Sequence, residues 1–218
     1  MAKKIILALV FVSLIIGNAF AQTDLKISIG AGGYFTSDFG GGVEAKVSGI
    51  KAGTLKTPYA GGGAFVFFDA TFLELNLGIF GAGGEWEEYG YGVGTFKYDV
   101  TGSGLDIGLF GKYPIMINDN FSLFPLLGIS YRAILSAKLD GEKADDPGDL
   151  SALWFKFGGG IDYSFTENIF FRAGILYGFR LKNKFEKDLV DLFDAMGAKT
   201  DTLLGNGLEI KLAIGYRF

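Results

Sequence analysis

The last eleven residues put an apolar side chain at every second position: Leu208, Ile210, Leu212, Ile214, Tyr216 and Phe218 alternate with Glu209, Lys211, Ala213, Gly215 and Arg217. A period of two belongs to a β-strand whose two faces meet different surroundings. The pattern recurs in segment 71–82, where Leu73, Leu75, Leu77 and Ile79 oppose Glu74, Asn76, Gly78 and Phe80. Segment 104–113 sets Leu105, Ile107 and Leu109 against Asp106, Gly108 and Lys112. Segments 24–35, 120–134, 152–165 and 168–182 follow the same rhythm. Segment 58–69 makes an eighth, although Gly61 to Gly63 and the run Phe65 to Phe68 hide its phase. Pro125 removes a ladder donor from the fifth segment and predicts a bulge or a strand start there.

The connections alternate in length. About 20 residues at 36–57, a dozen at 86–98, a loop at 136–151 and a longer one at 183–205 are separated by tight turns near Asp69-Ala70, at 114–120 and at Thr166-Glu167-Asn168. Long loops at one end and short turns at the other are the asymmetry of transmembrane β-barrels, in which an even strand number returns both chain ends to the periplasmic side. The predicted fold is therefore all-β, a closed antiparallel eight-stranded transmembrane β-barrel. A soluble eight-stranded calyx has apolar residues inside and charges outside. Here one face is large and nearly charge-free, while the other is mostly small and polar. That arrangement favours a lipid-facing exterior over a soluble periplasmic ligand-binding barrel.

The amino terminus carries an export pattern. Lys3 and Lys4 precede an apolar run from Ile5 to Ile16, interrupted only by Ser13, and Ala19-Phe20-Ala21 supplies small residues for cleavage between Ala21 and Gln22. The run is too short for a spanning helix, which needs about 20 residues. Residues 1–21 are thus expected to be a cleaved signal and 22–218 the mature barrel. No cysteine follows the run to accept a lipid. Losing Lys3 and Lys4 raises the acid excess from 4 to 6, a balance that argues against a nucleic-acid partner. Glycine at 35 of 218 residues suits a backbone bending inside a narrow tube. With 22 Phe and 10 Tyr, the chain has more rings than a small core needs, and lipid or its interface is the expected destination of many.

The sequence contains no His and no Cys. The familiar zinc sites and the Ser-His and Cys-His nucleophilic pairs need one or both. The reading is a non-enzyme without cofactor or metal. The inward phase gathers Glu74, Asp106, Asp162 and Glu209 with Lys112, Arg132, Lys156, Arg172, Arg180 and Lys211, and places Lys26 and Arg217 near the ends. An eight-stranded barrel is just wide enough for its own side chains. These groups are expected to pair as a structural network rather than to line a selective pore. Phe80, Phe110, Phe124, Leu126 and Leu176 share the inward phase, as an apolar pocket or as filling between charges.

The closing Tyr216-Arg217-Phe218 resembles the terminal signal of bacterial outer-membrane proteins, whose aromatic last residue is read by the assembly machinery. With the signal sequence and eight strands, the chain resembles the small barrels of the OmpA, OmpX and OmpW type, in layout rather than by a motif. The resemblance implies a bacterial outer-membrane location and two partners, the membrane lipid and the barrel-assembly machinery. It also implies a barrel without the peptidoglycan-binding domain of two-domain members. The outer-membrane barrel enzymes resemble one another in relying on a histidine that this sequence lacks.

Residues 184–196 break the strand rhythm. Phe185, Leu189, Leu192, Phe193 and Met196 recur at helical spacing, while Lys184, Glu186, Lys187, Asp188, Asp191 and Asp194 take the other face. This predicts a short amphipathic helix in the last extracellular loop, capping the mouth or resting on the membrane, with recognition of a surface partner as the alternative. Asp140, Glu142, Asp145, Asp146 and Asp149 crowd the third loop without the spacing of a calcium-binding loop. Gly30, Gly32 and Gly33 mimic part of a nucleotide fingerprint, but no helix follows them. The functional expectation is an envelope-structural or surface-interaction role through the loops, the alternative being a narrow conduit for small or hydrophobic molecules.

Overall fold

The computed structural model describes residues 26–92 and 94–218. The signal segment, the Ala21/Gln22 cleavage point and Leu25 lie outside the described residues. In chain order the elements are β1 (Ile27–Asp38), β2 (Gly42–Val47), β3 (Ile50–Lys56), β4 (Tyr59–Ala70), β5 (Leu73–Gly90), β6 (Gly94–Lys112), β7 (Ile115–Asn118), β8 (Phe121–Leu139), β9 (Glu142–Lys143), a 3-10 turn (Pro147–Leu150), β10 (Ala152–Ser164), β11 (Ile169–Arg180), α1 (Lys184–Ala195), β12 (Lys199–Leu203) and β13 (Gly205–Arg217). Strands β1, β4, β5, β6, β8, β10, β11 and β13 pair in succession, all antiparallel. The pairing of β1 with β13 closes the ring. Among the described residues no helix is long and apolar enough to cross a membrane.

The alternation sorts side chains between wall and lumen. Leu75, Leu77, Ile107, Leu109, Ile129, Phe155, Ile175 and Leu212 stand exposed on the outside, whereas Glu74, Asn76, Asp106, Arg132, Lys156, Arg172 and Glu209 are buried inside. Among the described residues, outward positions carry no charge along the eight staves until the crown end, at Glu85 and Glu87 on β5, Lys97 and Asp99 on β6 and Lys138 on β8. Strand β4, whose phase the sequence hid, turns Phe65, Phe67 and Asp69 inward and Val66 and Phe68 outward. Close packing explains one glycine of the wall: a Cβ on Gly160 would come 2.6 Å from the Phe124 ring.

Two expectations are corrected. Pro125 makes no bulge, since its register against β10 runs unbroken through Gly159. Its carbonyl accepts from the Tyr113 N–H on the side where β6 has ended at Lys112, so on that side no ladder partner needs the missing N–H. The irregularity lies higher on β8, where a shift at Ser103/Gly104 leaves Leu135 without an opposite residue.

The long connections are not plain loops either. Strands β5 and β6 continue past the barrel as a hairpin joined at Gly90 and Gly94, and β3, β2 and β12 add to its edge. The left-handed pair Asp140-Gly141 turns β8 into β9. This crown has polar residues on both faces, which is why hydrophobic alternation fades where the strands do not. Helix α1 packs against β12 and β2 of the crown.

Candidate functional site: the filled lumen and its crown

Two ion clusters are stacked along the barrel axis. Near the short-turn end, Arg172 of β11 donates from Nε to Asp162 at 2.7 Å, from Nη1 to Glu74 at 2.6 Å and from Nη2 to Asp69 at 2.7 Å. Lys112 also reaches Asp69, and Asn76 donates to Glu74 at 2.9 Å. The rings of Phe67, Phe124 and Phe170 stand 4.4, 4.9 and 5.2 Å from the Arg172 guanidinium carbon, so π-faces complete what the carboxylates leave open. Halfway up, Arg132 donates to Asp106 at 3.0 Å, to Glu209 at 3.4 Å and to the Tyr59 hydroxyl at 3.0 Å. Lys156 and Lys211 close on the two oxygens of Glu209 at 2.7 and 3.1 Å.

Apart from Lys211 and Glu209, which both belong to β13, every acid and base of these clusters comes from a different stave than its partners, so the contacts run across the lumen or the ladder. Removing two charges from water is costly and is repaid only by good geometry and extra hydrogen bonds. Arg172 meets both conditions with four donated bonds to three carboxylates. Phe110, Phe124, Leu126 and Leu176 form one apolar group between the clusters, and Phe80 joins another with Tyr34, Phe65, Phe67 and Phe170. They pack around the charges, and the void beside Glu209 shrinks to about 10 Å³. A vestibule of about 330 Å³ opens at the short-turn end, with Lys26 and Arg217 among its lining.

At the other end Arg180 pairs with Glu186 at 2.7 Å, with Asp38 at 3.6 Å and with the Thr57 hydroxyl at 3.0 Å. Here the helix expectation needs correcting. Glu186 belongs to the buried side of α1, and Leu192 and Met196 are exposed. The cause is a capping box: Asn183 Oδ1 accepts from the Glu186 N–H at 2.8 Å while Glu186 accepts from the Asn183 N–H at 3.3 Å, which turns the first helical turn down into the mouth. Around the crown the charges sit in short ladders. Hydrogen bonds from Lys46 and Lys51 hold the Glu44 carboxyl below its usual range, and the Asp149 carboxylate, 2.7 Å away, raises the Lys184 ammonium.

No family model matches the chain, and no curated protein is similar to it. Among solved structures it is similar to the outer membrane protein OprG from Pseudomonas aeruginosa, at 15% identity over 89% of this chain and 96% of that one, with a TM-score of 0.50. The fold is that of a small outer-membrane β-barrel. Neisserial surface protein A is similar at 13% identity over 88% of this chain and 97% of that one, with a TM-score of 0.48.

In this outer-membrane barrel fold, all ten inward residues singled out from sequence face the interior: Glu74, Asp106, Lys112, Arg132, Lys156, Asp162, Arg172, Arg180 and Glu209 are buried, and Lys211 is half-buried. Sequence reasoning missed Asp69, Asp38, Tyr59 and Glu186. Asp69 sits at the end of the unreadable strand, and treating it as inward would have supplied the phase. Glu186 was legible through the Asn-x-x-Glu spacing of a capping box. Replacing Asn183 by alanine is expected to loosen α1 by about 1 kcal/mol. Hydrogen exchange of the helix amides checks this, and the barrel amides should keep their protection.

Proposed function

We propose that the mature chain is a non-enzymatic integral protein of the bacterial outer membrane, a closed barrel that holds its crown at the cell surface. The short turns and both ends face the periplasm in this reading, and the crown faces outward. The carrying observation is the pairing of a charge-free outer wall with an axis blocked by the Arg172 and Arg132 clusters. Such a lumen is an internal brace, and a stiff crown built of paired strands is a surface for contact rather than a flexible sieve. The absence of His and Cys agrees with a role without catalysis. Its partners are outer-membrane lipid and the barrel-assembly machinery, which would read Tyr216 and Phe218, whose rings lie 5.1 Å apart at the end of the closing strand. A surface ligand would meet the crown.

The test is conductance. Purified barrel in planar bilayers is expected to show no steady current, because eight-stranded barrels are filled by side chains whereas barrels of 16 to 18 strands enclose a channel. Large, reproducible currents whose ion selectivity changes in Arg132→Ala would replace this reading with the conduit.

A further inference from the structure

Beneath the first turn of α1 the mouth encloses a cavity of about 60 Å³ lined by Phe80, Trp86, Ile134, Trp154, Phe185 and Arg180. The Trp86 and Phe185 rings, 5.7 Å apart, form part of its lining between hairpin and helix. Among the described residues the buried Trp154 indole N–H has no acceptor, and the Arg180 Nε–H makes no hydrogen bond but faces the Asp38 carboxylate at 3.6 Å. Trp154 is only 3% exposed, so its indole N–H is shut off from bulk water. A buried donor left in this state favours any occupant that brings an oxygen to it.

Charge decides what kind of oxygen. Arg180 already faces Asp38 and Glu186, and Arg132 at the cavity floor already faces Asp106 and Glu209. An added anion would meet these carboxylates without a free cation to match it, whereas a neutral acceptor adds no charge to a desolvated space. The aromatic walls suit an apolar body held by a few polar contacts. At about 10–15 Å³ per water-sized sphere, the space admits roughly four to six non-hydrogen atoms.

We propose that this mouth cavity binds a small neutral organic molecule whose one carbonyl or hydroxyl oxygen accepts from the Trp154 indole. The apolar remainder lies among Phe80, Trp86 and Phe185. The site shares Arg132 with the axial cluster but needs neither an open axis nor a partner of the crown. Its roof is the turn held by Glu186 and Asn183, so the molecule enters when that turn lifts and holds α1 down once bound.

The two tryptophans of the chain both line this cavity, which makes indole NMR signals a direct readout. The probes are 2-butanone and 2-methyl-1-butene, which share a shape and differ by oxygen against methylene. In barrel reconstituted in lipid nanodiscs, 2-butanone is expected to shift the Trp154 indole signal saturably. Trp154→Phe should weaken 2-butanone about tenfold at the Trp86 signal and leave the alkene unchanged. Ala152→Val, which adds bulk to the cavity wall and keeps the indole, should block both probes. Water as the sole occupant would appear as no saturable shift with 2-butanone, and that result overturns the proposal. Unchanged 2-butanone binding in Trp154→Phe, or persisting binding of both probes in Ala152→Val, overturns it as well.

Discussion

Replacing Arg172 with alanine is expected to cost the folded barrel about 3–5 kcal/mol, the usual penalty for removing one partner of a buried ion pair. The loss should reach the upper end of that range, since Asp69, Glu74 and Asp162 would then face one another with only Lys112 beside Asp69 and Arg217 at 3.8 Å from Asp162 to offset them. Urea unfolding in lipid vesicles measures it. Asp162→Asn should cost distinctly less, because Arg172 keeps two carboxylates and the amide can still accept. Equal stability of Arg172→Ala and the unmodified barrel would mean that the cluster is filling and not a brace. The folded remainder of the Arg172→Ala sample should still pass no steady current, because the Arg132 cluster and the rings of Phe110 and Phe124 stay in place.

The second large effect is partition. The charge-free wall predicts that the mature protein is recovered with outer membranes and needs detergent to leave them. The closed hydrogen-bonded ring predicts a shift in gel migration between unheated and boiled samples, since an unheated barrel with no sheet edge resists unfolding by detergent. Recovery in a soluble periplasmic extract without detergent would reverse the assignment of the two faces and restore the soluble calyx.

The barrel was legible because lipid-like and lumen-like environments demand opposite side chains at successive positions. Leu73 to Ile79 and Leu208 to Tyr216 show this without ambiguity. Strand β4 was not, because three glycines have no side chain to sort and Phe65 to Phe68 put apolar residues on both faces, the inner ones stacking in the lumen. The crown escaped for the opposite reason. In β5, Glu85 and Glu87 lie on one face and Trp86 and Glu88 on the other, so solvent erases the contrast that periodicity depends on. The ion clusters were foreseeable as a set, but the partners were not. Which acid meets Arg172 depends on stagger between staves far apart in sequence, and Asp69 lies 103 residues from it.

That separation in sequence bears on how the barrel forms. The first half of the chain brings Asp69, Glu74 and Asp106 to the lumen with Lys112, and the second half brings Arg132, Lys156, Arg172 and Lys211 with Asp162 and Glu209. One half is therefore acidic inside and the other basic, and neither can neutralise itself. Apart from Asp106 and Arg132, which meet directly across the β6–β8 ladder, a sheet with its seam still open would hold unmatched charge along its concave face, and joining β1 to β13 brings the remaining partners together. Assembly should thus be cooperative across the whole circumference, with half-barrels drawn together by attraction before the seam zips and no stable partly closed form to accumulate.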